Sequence, residues 1–159
     1  MTARAGLLAL AVAALVAGGC GAPSNPTPHE RTGQVSEDIR HDIDPLTKYF
    51  PLIGNPVAAS WLGWSNASGA APGPSMYWID AVVELRPETA AALRARYAPA
   101  EPAAPAVKDA LRQAVPDGPY LTGREFDIAL GGSKQWGGNA RGYLHHDRPL
   151  LVFQAISGG

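Results

Sequence analysis

The chain has 159 residues, a single cysteine, 13 lysines and arginines against 14 aspartates and glutamates, and a formal net charge of -1. One cysteine excludes an intrachain disulfide, and a near-neutral chain without a basic stripe leaves nucleic-acid binding no electrostatic footprint. Its 18 glycines and 15 prolines point to abundant turns.

The segment from Met1 to Cys20 is organised as an export signal. Arg4 is its only charge, Leu7 to Ala17 is an unbroken apolar run, and Gly18-Gly19-Cys20 closes it. A short basic region, an apolar core and a small-residue exit is the order that export requires. An apolar run of about eleven residues falls short of the roughly 20 that span a bilayer. It also offers no polar face to a helix packed on a soluble core.

The leader's end, Val16-Ala17-Gly18-Gly19-Cys20, resembles that of the bacterial lipoproteins, in which small residues directly precede a modified cysteine. Ala17 departs from the pattern by standing where leucine is usual. The resemblance implies cleavage before Cys20, with lipid (palmitate among its acyl chains) on the sulfur and usually on the new amine. It implies a bacterial membrane as partner, with the rest of the chain anchored on the extracytoplasmic side. Secretion with plain cleavage is the competing reading. Loss of residues 1–19 leaves 140 residues and a charge of -2.

Residues 20–37 read as a lipidated cysteine followed by a tether. Pro23, Pro26 and Pro28 lack backbone donors, Gly21 and Gly33 add freedom, and no apolar periodicity appears. Asn66-Ala67-Ser68 fits a glycosylation sequon, whereas Asn25-Pro26-Thr27 has proline in its middle position and does not.

Residues 38–159 are expected to fold as one domain. In Asp38 to Tyr49, Ile39, Ile43 and Leu46 permit a helical stripe, and Pro45 suggests a short helix or turn ending near Asp44. Phe50 to Pro56 reads as a turn-rich apolar connection. Ala58 to Ala67 has strand composition, with Trp61 and Trp64 on opposite sides because their separation is odd. Ser68 to Ser75 is a loop by composition.

Met76 to Arg86 is the clearest strand. Tyr77, Ile79, Ala81, Val83 and Leu85 share one face, and Trp78, Asp80, Glu84 and Arg86 the other, with Val82 among them, the pattern of a sheet covered on one side. Pro87 can open a helix through Tyr97, with Glu88 at its positive end. Ala98 to Pro105 breaks it. A second helix is expected from about Ala106, with Val107, Leu111 and Ala114 or Val115 on one stripe. Tyr120 to Leu130 carries strand signals, with Phe126, Ile128 and Leu130 on one face. Gly131 to Asn139 is a glycine-rich loop, and Tyr143 to His146 and Leu150 to Ile156 are two further strands. These elements predict an α+β domain, a mainly antiparallel sheet of about four to five strands with helices packed on one face.

Candidate sites are sparse. Trp136, in the glycine-rich loop beside Lys134, Gln135, Asn139 and Arg141, is the leading ligand-contact candidate, since an aromatic among flexible polar groups can stack on a sugar or peptide. Trp61 and Trp64 follow. The alternative for Trp136 is a side chain folded back onto the sheet. His41, His145, His146 and Asp147 could build a metal or acid–base site, but adjacent histidines on a strand face opposite ways and no metal-ligand spacing is present. The sequence carries no nucleophile elbow, no phosphate-cradling motif and no cofactor motif. The expectation is a lipid-anchored binding domain for an envelope protein, peptide or glycan. A cell-envelope hydrolase, metal-assisted in one version, and a structural or assembly lipoprotein are the alternatives.

Overall fold

A computed structural model describes residues 38–66 and 74–158. The leader, Cys20, the tether and most of the Ser68–Ser75 loop lie outside these residues. The described chain forms one antiparallel sheet of six strands: β1 (Ala58–Ser65), β2 (Met76–Glu84), β3 (Glu101–Pro102), β4 (Tyr120–Thr122), β5 (Gly138–His145) and β6 (Leu150–Gly158). The order across the sheet is β1-β2-β6-β5-β4-β3. The α+β class and the antiparallel sheet are as the sequence predicts, with a strand count slightly above the expected four to five. None of the described helices is long and apolar enough to cross a membrane.

Register follows from side-chain alternation. Opposite Trp61 in β1 stands Ala81 of β2, and opposite Ala81 stands Phe153 of β6. Ala59, Trp61, Ile79, Ala81, Val83, Leu151, Phe153 and Ala155 thus share one face. A one-residue slip would move this whole set to the other side. Three helices cover that face: α1 (Asp44–Tyr49), α2 (Pro87–Tyr97) and α4 (Arg124–Gly131). They contribute Leu46, Ala90, Leu93, Phe126 and Leu130, and Phe50 and Ile53 complete the core around the short 3-10 turn Pro51–Ile53. The Phe50 and Phe153 rings meet at 4.6 Å.

Several local expectations are corrected. Pro45 does not end a helix near Asp44; it lies in the first turn of α1, which runs on to Tyr49. There the missing N–H of proline would lack an intrahelical partner anyway. The second helix shrinks to the single turn α3 (Asp109–Arg112), with Pro102 and Pro105 ahead of it and Pro116 and Gly118 behind. The run from Tyr120 is a strand only to Thr122, and α4 follows. Phe126 and Leu130 are fully covered while Ile128 between them is 56% exposed, a period of four residues rather than two. Glycine makes this packing work. A Cβ on Gly142 of β5 would lie 2.5 Å from the Phe126 ring, so α4 seats directly on the strand there.

The second face of β2 is not open to water in its middle. Val107 and Leu111, from the segment around α3, pack with Leu62, Val82, Tyr120, Tyr143 and Val152. Asp80 beneath this segment is only 3% exposed.

A tryptophan-lined candidate binding site

The chain has four tryptophans, and the fold gathers them all at the end of the sheet where β1 leads towards β2. A concavity of about 650 Å³ on the helix-covered side is lined by Trp61, Trp64, Trp78 and Trp136 together with Tyr49, Tyr77 and Arg40. Trp64 and Trp78 are directly opposite one another across the β1–β2 pair, with ring centroids 6.1 Å apart and planes within 9°. Such cross-strand aromatic pairs contribute to sheet stability as well as to surface character.

The N-terminal described segment forms one wall. Arg40 exchanges two backbone hydrogen bonds with Trp61, at 2.8 and 2.9 Å, and its guanidinium lies 3.9 Å from the centre of the Trp61 indole. The Trp61 Nε1–H donates to the Asp42 carbonyl at 2.9 Å. Arg40 also grips the Asp42 carboxylate, and that hydrogen bond holds Asp42 below the usual carboxylate range. Trp61 is therefore a covered core residue, 3% exposed.

Trp136 does not sit on an open loop. It is 8% exposed and packs against Phe50 at 5.2 Å and Tyr49 at 5.9 Å. The glycine-rich stretch is shorter than expected, since α4 extends to Gly131 and β5 begins at Gly138. The turn between them folds back: the Trp136 N–H donates to Ser133 Oγ, the Ser133 hydroxyl bonds the Tyr49 carbonyl, and the Ser157 hydroxyl donates to the Trp136 carbonyl. Trp136 thus anchors the loop and presents only an edge to the concavity. Tyr77, 51% exposed, offers the accessible aromatic surface on this side, while the half-buried Trp64 and Trp78 turn their rings to the opposite face of the sheet. Trp78 and Tyr77 were legible as strand residues but not as site residues, because their role depends on the partner strand.

A second concavity, of about 540 Å³, lies on the other side of the same two tryptophans. Its floor carries Asp80, whose carboxylate accepts the Lys108 backbone N–H at 2.8 Å. Burial pushes Asp80 above the ordinary carboxylate value, against the opposing pull of its hydrogen bonds to Lys108 and Gln154. The Gln154 amide also donates to the Ala106 carbonyl at 2.6 Å, which ties β6 to the α3 segment. The Lys108 ammonium stands 4.3 Å from the centre of Trp64, at cation–π distance.

The three described histidines lie at two separate places on the sheet. The exposed His41 lies outside β1, with Nδ1–H donating to the Ala59 carbonyl at 3.0 Å. His145 ends β5, three strand spacings, or about 14 Å, beyond β1 on the other side. His145 is 3% exposed, and its Nδ1 accepts the backbone N–H groups of Asp147 and Arg148 at 3.1 and 3.2 Å. That leaves Nε2 as the protonated nitrogen, 3.4 Å from the Asp117 carbonyl. His146 and Asp147 are exposed neighbours joined at 2.6 Å, a bond that holds the Asp147 carboxyl below its usual range. His145 therefore braces the β5–β6 turn, and the structure does not bring His41 to it. Among the described residues no group of three His, Cys, Asp or Glu side chains is placed to hold a metal.

Comparison with known proteins finds no matching family model, no matching curated protein and no matching solved structure.

Proposed function

We propose that this protein is a lipid-anchored extracytoplasmic binding domain whose tryptophan-lined concavity receives its ligand. The observation that carries the reading is a concavity at the tryptophan-rich end of the sheet, walled by Trp61 and Trp136, bordered by the Trp64–Trp78 pair whose rings lie on the opposite face, with Tyr77 exposed at its rim. A concave, mainly aromatic surface with a few polar groups is the usual form of a ligand site. The anchor rests on the order of the leader and on Cys20, and the tether would hold the domain off the membrane.

The test uses the intrinsic fluorescence of the four tryptophans. Soluble peptides and envelope glycans are titrated into the protein, and Tyr77→Ala and Gln135→Ala, both exposed residues of the concavity, are compared with it at matched thermal midpoints. The expected result is a saturable spectral change for at least one compound, weakened about tenfold or more by either substitution. Unchanged affinity in both folded variants rejects the concavity as the site.

A further inference from the structure

The outer edge of β1 is closed over only half its length. Arg40 pairs with Trp61 there, and the His41 side chain caps the Ala59 carbonyl. Both backbone groups of Trp61 point away from β2, so those of Gly63 and Ser65 do as well. Neither Gly63 nor Ser65 has an outward backbone partner among the described residues. An edge of this kind is a template for another strand.

The other edge of the sheet is blunted. There β3 has only two residues, Glu101 and Pro102. A short strand, a charge and a proline are each devices that stop further pairing. The stretch Trp61-Leu62-Gly63-Trp64-Ser65 carries none of them. Gly63 is exposed and faces the concavity, and a Cβ there would stand 3.2 Å from the Trp61 ring. A second backbone can approach this point because no side chain intervenes.

We propose that the ligand is an extended peptide segment of a partner protein, added antiparallel to β1 at Gly63 and Ser65. This rests on the binding-domain reading above. The unpaired N–H and C=O groups hold the peptide main chain, and its alternate side chains select the sequence. A residue opposite Gly63 directs its side chain to the Trp61 side, into the concavity beside Tyr77 and Trp136, so an apolar residue fits there. A glycan cannot supply amide donors and carbonyl acceptors at strand spacing.

The probe is a capped hexapeptide of alternating leucine and threonine, followed by tryptophan fluorescence. In an antiparallel pair, the residues whose side chains share the Trp61 face are those whose amides face β1. N-methylation of the leucine amides is therefore expected to abolish binding, and N-methylation of the threonine amides to leave it intact. Gly63→Pro removes an outward N–H and spares the ladder to β2. It is expected to weaken the parent peptide about tenfold or more relative to Gly63→Ala, which brings the same Cβ 3.2 Å from the Trp61 ring but keeps the N–H.

Equal binding of the two methylated peptides overturns the proposal, and so does the absence of binding to all three. Dimerisation lost in Gly63→Pro would assign the edge to a second copy and overturn it too. Slow amide exchange at Gly63 and Ser65 without peptide would assign the edge to the chain ahead of Asp38, and the proposal would fall with it. None of these failures touches the concavity reading, which stands or falls with Tyr77→Ala and Gln135→Ala on whatever compound binds there.

Discussion

Gly142→Ala tests the seating of α4 on β5. The added Cβ would lie 2.5 Å from Phe126 Cε1 and 3.0 Å from Leu130 Cδ2, where ordinary contacts begin near 3.4 Å. Neither neighbour has room to withdraw, since Phe126 is 0% and Leu130 1% exposed. The Phe126 ring also abuts Tyr97 at 5.8 Å, and the Gly142 N–H donates to Asp127 Oδ1 at 2.8 Å, so helix and strand are pinned together there. Overpacking of such a site costs about 1–3 kcal/mol. Taking about 2 kcal/mol, the thermal midpoint of a domain this size falls by roughly 6–10 °C. Denaturant melts of Gly142→Ala, Phe126→Leu and the double variant give the coupling. The leucine removes ring atoms that the new methyl meets, so the double variant should be more stable than additivity predicts, by about 1 kcal/mol. Ile128→Ala on the exposed side of the same helix is the control and should change stability by less than about 0.5 kcal/mol. A Gly142→Ala protein as stable as the parent, or strictly additive losses, would refute the packing argument.

Two further outcomes are expected. Asp80 should titrate above its ordinary value, and Gln154→Leu should raise it further by removing a hydrogen bond to the carboxylate; side-chain carboxyl NMR reads both, and an unmoved titration in the variant is the failing result. Native Asp80 holds its proton more tightly than the unfolded chain does, so across the window from 3.8 up to the raised value its contribution to stability falls as pH rises. Asp42 and Asp147, both lowered, act in the opposite sense but are exposed. For the anchor, Cys20→Ser should abolish incorporation of labelled palmitate in a bacterial host and move the protein from the membrane to the soluble fraction. Undiminished labelling would remove the lipoprotein reading.

What the sequence revealed depended on whether a local pattern had one explanation. The alternation of β2 from Met76 to Glu84 did, as did the proline-opened helix α2 from Pro87. The odd spacing of Trp61 and Trp64 correctly split them between the two faces. Phe126 and Leu130 did not, because residues four apart share a face in either a helix or a strand. Ile128 was the discriminating residue, and its burial is a tertiary fact. Asp80 reads as a solvent-side residue until the α3 segment, distant in sequence, covers it. The candidate site was half visible for the same reason. Trp61 and Trp64 announce themselves as a pair, whereas Trp78 joins them only through the β1–β2 register.

That register also separates the tryptophans by role. Trp61 and Trp136 are 3% and 8% exposed, and each has its indole N–H committed to a backbone carbonyl. Truncating either opens a void in the core that holds Phe50 and Phe153, at a cost of about 3–5 kcal/mol. A binding defect in such a variant would report damage to the wall of the site, not the loss of a contact. Trp64 and Trp78 are half-buried, and Tyr77 projects into solvent. Recognition and stability are thus assigned to different residues of one aromatic cluster. The strand that carries Trp64 also carries the open backbone at Gly63 and Ser65, so aromatic surface and unpaired edge belong to the same few residues. A ligand that uses both must be extended and must bring its own backbone, and this makes main-chain methylation of a peptide more informative than any further tryptophan substitution.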